Sequence, residues 1–259
     1  MQNNEIVLTT VNLTKHFGGL IALDNISVSV KRNTLTLLIG PNGAGKTTLI
    51  NTCIGVLKPD NGRILFSPNN GNIIDITGWS PHKIYRIGFV KSFQIPQPFL
   101  SLTVLENILA VFNSKGENPV YAPIRLFWRK NEEEYIEKAF RVLNLVGLDN
   151  YWYVEAHKLG AGQLKMLEVA RALASNAKLI ALDEPIGGTD PGYAKTIFEK
   201  LKAIKSTVDA TFLVVEHRID IALPFADYVY VMDRGRVIAE GPPDIVYKDP
   251  KIIEVYIGE

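Results

Sequence analysis

The sequence predicts an α/β fold of two lobes, and three observations carry that prediction. Strand-like runs occupy both ends of the chain, helical periodicity replaces them in the middle, and a segment of the form G-x-x-x-x-G-K-T stands between an apolar run and a helix. Residues 1–91 and 176–259 are expected to form one core, and residues 92–175 a helical lobe set into it.

Residues 5–10, 26–30 and 34–39 alternate apolar and polar positions between the turn-rich HFGG and KRN, which predicts three strands. From Gly40 the pattern changes to a helix over 46–56, and KPDNG then turns the chain into a strand over 63–66. Helices are expected at 103–112, 131–146 and 161–174, and the segment 113–130, with two prolines and three aromatics, reads as an insertion without a usable motif. The apolar runs 178–182 and 211–215 suit strands buried on both faces of a parallel sheet, so the core resumes there. The strand before Gly40 and the strand ending at Asp183 are expected to be neighbours in that sheet. Residues 244–256 read as a packing helix with an arm.

The 259 residues carry 28 Lys plus Arg against 27 Asp plus Glu, a net charge of +1, so no strong field draws nucleic acid and none is expected as a partner. With 47% hydrophobic and 21% charged residues, the chain can bury a sizeable core. Cys53 is the one cysteine, which excludes an intrachain disulfide and reads as a small buried apolar residue. The start MQNNEIVLTT lacks the basic and apolar regions of a signal peptide, and no stretch reaches about 18 uncharged apolar residues. A cytoplasmic chain is expected, with any membrane role coming through partner subunits. His16, His82 and His157 show no metal-ligand spacing.

Gly40, Pro41, Asn42, Gly43, Ala44, Gly45, Lys46 and Thr47 fit a phosphate loop, with Thr48 beside it. Phosphate oxygens need several backbone N–H groups pointing inward at close range, and glycines let the backbone curl that tightly; the helix N-terminus adds a favourable dipole. Lys46 would reach the β- and γ-phosphates of a nucleotide, and Thr47 would ligate Mg²⁺. Downstream, the apolar run KLIALDEP ends in two carboxylates. Asp183 suits a Mg²⁺ ligand at the C-terminal tip of a strand, and Glu184 a general base for an attacking water. Taken alone such a pair is usually a solvated turn; behind a phosphate loop it gains meaning.

Leu159-Gly160-Ala161-Gly162-Gln163 precedes the helix LKMLEVARALA and stands 20 residues ahead of Asp183. It resembles the LSGGQ signature of ATP-binding cassette ATPases, at that family's spacing. The resemblance covers nearly the whole chain and implies a RecA-like core with an antiparallel β edge and an inserted helical signature lobe. It also implies roles: Phe17 stacking on adenine, Gln94 in the loop joining the lobes and on the metal, Asp190 in a loop crossing a dimer interface, and His217 on the γ-phosphate. HFGGLIALDNIS, PFLSLTVLENIL, VVEHRID and DPKIIEVYIGE look most like the ATP-binding subunits of branched-chain amino acid importers.

In that family each ATP lies between the phosphate loop of one subunit and the signature of a second. The resemblance therefore implies ATP and Mg²⁺ as cofactors, a second ATP-binding subunit, transmembrane permease subunits that hold the chain to the inner face of the membrane, and indirectly a solute-binding protein. Gly160 departs from the family by replacing a serine that donates to the γ-phosphate, so one charge-assisted bond is missing, and Gly187-Gly188-Thr189 replaces larger residues in the crossing loop. A soluble cassette ATPase of an iron–sulfur assembly or other scaffold complex is the second reading, since such proteins carry the same motifs.

Overall fold

A computed structural model describes residues 5–69, 71–92, 96–112 and 129–248 of the chain. Along the chain run β1 (Ile6–Phe17), β2 (Leu20–Ile26), β3 (Ser29–Lys31), β4 (Leu35–Ile39), α1 (Lys46–Cys53), β5 (Asn61–Asn69), β6 (Asn72–Asp75), α2 (Pro81–Arg86) and β7 (Phe89–Lys91). Three helices follow, α3 (Val104–Leu109), α4 (Arg129–Val146) and α5 (Ala161–Ala174). The chain continues with β8 (Leu179–Asp183), α6 (Pro191–Thr207), β9 (Phe212–Val215), α7 (Ile219–Ala222), β10 (Tyr228–Asp233), β11 (Arg236–Gly241) and α8 (Pro243–Val246). It divides into two compact units, Met1–Gln94 with Ala177–Glu259, and Ile95–Asn176.

The first unit holds two sheets. One is antiparallel, in the order β2-β1-β5-β6 with β3 also on β1; the other runs β11-β10-β4-β9-β8-β7 and is parallel except at the β10–β11 edge. Val7, Leu8, Ile64 and Phe66 of the first sheet share one apolar cluster with Leu38, Phe89, Ala181 and Val215 of the second and with Leu49 and Ile50 of α1. Phe66 stacks on Phe89 at 5.5 Å between centroids, which joins β5 to β7.

β1 continues seven residues past the expected end at Thr10. Its pairing with β2 slips at Leu13/Lys15 and again at Lys15/His16, and Asn12 takes φ +47, so the two-residue alternation that marks a strand in sequence is lost there. The expected strand 26–30 is instead the end of β2 and the start of β3, because β1 pairs with the two at different places and the chain jogs at Ser27–Val28. Thr10 Oγ1 takes the Val28 N–H at 3.0 Å in that jog. The helix after the phosphate loop stops at Cys53 rather than 56, where the N–H groups of Ile54 and Gly55 turn back to Ile50 and Thr52.

The expected adjacency of the strand before Gly40 and the Asp183 strand is corrected by the sheet order: β9 lies between β4 and β8. All four residues of β9 are buried, as befits a strand hydrogen-bonded on both edges. The β10–β11 hairpin, unread in the sequence, closes through Arg234 and Gly235, both at positive φ.

In the second unit, Thr103 and Glu106 form a capping box that starts α3, with Glu106 N donating to Thr103 Oγ1 at 3.2 Å and Thr103 N to Glu106 Oε2 at 2.8 Å. Val104, Ile108, Ala139, Leu143, Met166 and Leu167 form its core, and the fully buried Asn107 amide bonds the backbone of Phe99, Leu102 and Thr103. The 161–174 helix runs as expected, whereas the 103–112 helix is shorter and α4 starts two residues early. Among the described residues no helix is long and apolar enough to cross a membrane. Gln94, most of the 113–130 insertion and residues 249–259 lie outside the described residues.

Candidate functional site

β4 is buried along its whole length and delivers the chain to Gly40 at the C-terminal edge of the parallel sheet. The loop that follows is confined by backbone. A Cβ at Gly40, where φ is +151, would stand 2.1 Å from the Met232 carbonyl oxygen, and one at Gly45, at φ +99, 2.5 Å from that of Ala22. Strands β10 and β2 thus hem the loop from both sides, and only glycine passes at these two points. α1 opens behind it with no acidic residue in its first turn, so nothing on that turn opposes an anion at its N-terminus.

Lys46 is 6% exposed and donates from Nζ to the carbonyl oxygens of Gly40 at 2.7 Å and Pro41 at 2.9 Å. Burial pushes its pKa down, against the opposing pull of Glu184, Asp183 and Glu216. Thr47 Oγ1 donates to Asp183 Oδ1 at 3.4 Å, and Lys91 Nζ sits 2.9 Å from Asp183 Oδ2 while also donating to Asn51 Oδ1 at 2.8 Å. The two oxygens of Asp183 therefore have different neighbours: one faces the phosphate-loop threonine, the other the half-buried ammonium of Lys91. A hydroxyl and a carboxylate oxygen this close fit Mg²⁺, which takes few protein ligands beside phosphate oxygens and water. Among the described residues no group of three His, Cys, Asp or Glu could hold a metal by itself.

Glu184 follows with φ +52, a left-handed backbone that few residues adopt, and its N–H donates to the Val215 carbonyl at 3.0 Å. His217 Nδ1 lies 3.7 Å from Glu184 Oε1. Just past the end of β9 stands Glu216, fully buried, whose Oε1 accepts from Ile186 N at 3.1 Å and whose Oε2 accepts from His217 N at 3.3 Å. Burial raises its pKa, against the lowering effect of the N–H groups of Ile186, His217 and Arg218.

The structure thus brings together Lys46, Thr47, Asp183, Glu184 and His217. Phe17 ends β1 and is 46% exposed, and Lys15 Nζ lies 5.6 Å from its ring centroid. Asp190 caps α6, accepting from Tyr193 N at 2.9 Å. In the second unit Gly160 is the N-cap of α5, with Ala161 and Gly162 in its first turn, and Gln163 Oε1 is turned back to accept from Gly160 N at 3.0 Å. Cys53 is buried, its thiol pushed up to about 12.

Three residues of this cluster were missed in the sequence: Lys91, Asn51 and Glu216. Lys91 ends a three-residue strand too short to show a period. Glu216 did carry a signal, an acidic residue closing the fully apolar run FLVV, which is the pattern that marked Asp183.

A family model described as ABC transporter matches residues 23–187. The chain is 46% identical over 252 residues to a protein of Archaeoglobus fulgidus named probable branched-chain amino acid transport ATP-binding protein LivG, over 97% of this chain and 95% of that one. A protein of the same name from Methanocaldococcus jannaschii is 43% identical over 263 residues, 100% of either chain. Among solved structures, the ADP conformation of an ATP-binding cassette of an ABC transporter is similar, with 44% identity and a TM-score of 0.82 over 98% of this chain and 99% of that one.

Proposed function

The chain belongs to the ATP-binding cassette family of ABC transporters, and from that premise we propose that it is the ATP-hydrolysing subunit of an importer for branched-chain amino acids. The observation that carries the reading is the convergence of Lys46, Thr47, Asp183, Glu184 and His217 at the C-terminal ends of β4, β8 and β9, where α/β sheets bind ligands. The solute follows from the names of the relatives.

In this reading the loop N–H groups and the start of α1 cradle the β- and γ-phosphates of ATP, and the Lys46 ammonium leaves the Gly40 and Pro41 carbonyls for phosphate oxygens. Thr47 and Asp183, with Gln94, would hold Mg²⁺, which when bound neutralises charge on the phosphates. Glu184 accepts the proton of the attacking water, His217 contacts the γ-phosphate, and Phe17 offers its exposed ring to the base. A second ATP-binding subunit completes the nucleotide site with its signature turn, residues 160–163 here, and Asp190 lies in the loop facing it.

Permease subunits would anchor the chain at the inner face of the membrane. The exposed Phe99, Leu100, Tyr151, Trp152 and Tyr153 of the second unit are the apolar surface offered to them. The core at 1–91 and 176–259 and the signature lobe at 92–175 remain our division of labour. Nothing favours the scaffold-complex reading.

The test is purification of the chain from native membranes under mild detergent. Recovery with multi-span proteins is expected, together with ATP hydrolysis stimulated by branched-chain amino acids and their binding protein. Recovery with soluble scaffold proteins alone overturns the importer.

A further inference from the structure

Glu216 is a fully buried carboxylate for which the proposed hydrolysis has no use. It is 0% exposed, at the C-terminal end of β9, with its own N–H donating to the Leu38 carbonyl on β4 at 3.3 Å. A carboxylate withdrawn from water is costly unless donors surround it. Here they do, and all are backbone: Ile186 N at 3.1 Å, His217 N at 3.3 Å, and the N–H of Arg218. The first belongs to the loop leaving β8, the others to the loop leaving β9.

Those two loops carry Glu184 and His217. Ile186 lies two residues past Glu184, and its side chain is buried, so the N–H held by Glu216 is a fixed point just beyond the left-handed turn at Glu184. His217 is held at its own N–H, while its ring reaches to 3.7 Å from Glu184 Oε1. One side chain thus ties the base-bearing loop to the histidine-bearing loop. Its charge also acts on Lys46, together with Glu184 and Asp183.

We infer that Glu216 is a positioning residue for hydrolysis, its acceptor-only carboxylate locking the Glu184 loop and His217 into one unit. This rests on the reading of Glu184 as the base. Acceptor-only character is the requirement, because backbone N–H groups cannot reverse. A glutamine offers one acceptor oxygen and turns its NH₂ toward Ile186 N or His217 N, which drives that loop away.

Misplacement by a fraction of an ångström to about 1 Å acts on the transition state far more than on bound ATP. In the purified full chain Glu216→Gln is therefore expected to lower kcat by roughly 10- to 100-fold, with the KM for ATP and the affinity for a non-hydrolysable ATP analogue within about threefold of the parent. Combined with His217→Ala, the losses are expected to fall short of their product, because the cycle removes the group being positioned. Glu216→Asp keeps the charge but draws it back from Ile186, and an intermediate kcat at unchanged KM is expected of it.

A kcat within about twofold of the parent in either single variant overturns the inference, as do losses that multiply in the double variant. So does a KM that rises in step with the loss of kcat, since that marks a general loosening of the nucleotide site. Glu184→Gln, measured beside them, tests the base by itself: full turnover there sinks the assignment of Glu184, whatever Glu216 does.

Discussion

The phosphate loop before α1 and the turn before α5 both end in a glycine N-cap, yet the glycines are there for different reasons. At Gly40 and Gly45 the backbone is left-handed and a Cβ would lie 2.1 Å and 2.5 Å from carbonyl oxygens of neighbouring strands. At Gly160 φ is an ordinary −70, and the nearest atom to a Cβ is Gln163 Oε1 at 3.7 Å. Glycine is thus forced by packing in the first turn and merely accommodated in the second. The missing hydroxyl at Gly160 is not something the fold of its unit demands.

The largest effect expected from either region is chemical. Glu184→Gln keeps the shape of the side chain but not its basicity, so phosphate release should fall by about 10²- to 10⁴-fold while nucleotide binding persists. Turnover at the parent rate places the base elsewhere and weakens the contrast at its root.

Alanine substitution divides the two turns by stability. Gly40→Ala must move either the loop or the Met232 carbonyl and should cost about 3 kcal/mol or more in a denaturant melt. Gly160→Ala, with room for its methyl, should cost about 1 kcal/mol or less. Equal melting of the two variants breaks the comparison.

Lys46→Ala removes the cation facing the phosphates, a charge-assisted interaction of about 1.5–3 kcal/mol, so affinity for a fluorescent ATP analogue should drop roughly 10- to 100-fold. Its two hydrogen bonds to carbonyls are exchanged for phosphate contacts on binding, which moves the expected loss toward the lower end of that range.

The smallest effect sharpens the contrast most. Gly160→Ser restores the hydroxyl that the family carries, and hydrolysis should rise, by up to about tenfold, if backbone N–H groups do not already satisfy the phosphate. In a homodimer both sites should gain; in a mixed dimer the gain should appear at the partner's nucleotide alone. An unchanged rate at saturating ATP shows that the bare helix start suffices.

The residues proposed to carry the chemistry were legible because each demands a residue type at a short, fixed spacing: Gly40 to Thr47 in one loop, Asp183 and Glu184 as neighbours at a strand end. Helices with an intact period, such as α5, were equally legible. Where geometry broke the period, legibility failed, as in β1 with its two register shifts and Asn12 at positive φ. Lys91 and Glu216 escaped for a different reason: a lone charge on a strand end is mute until its partners are known, and theirs are 92, 40, 30 and one residues away in the chain.

By itself, then, the sequence determined the family and singled out the glycine-rich loop, the two adjacent carboxylates and the Gly160 turn proposed for its chemistry, since local backbone demands and residue chemistry are written in consecutive positions. Only the tertiary structure decided that β9 separates β4 from β8, that Asp183 divides its oxygens between Thr47 and Lys91, and that Glu216 ties two loops together. Those are choices among strand orders and long-range partners, and every order that buries the same apolar runs satisfies the same sequence pattern until side chains from distant segments meet.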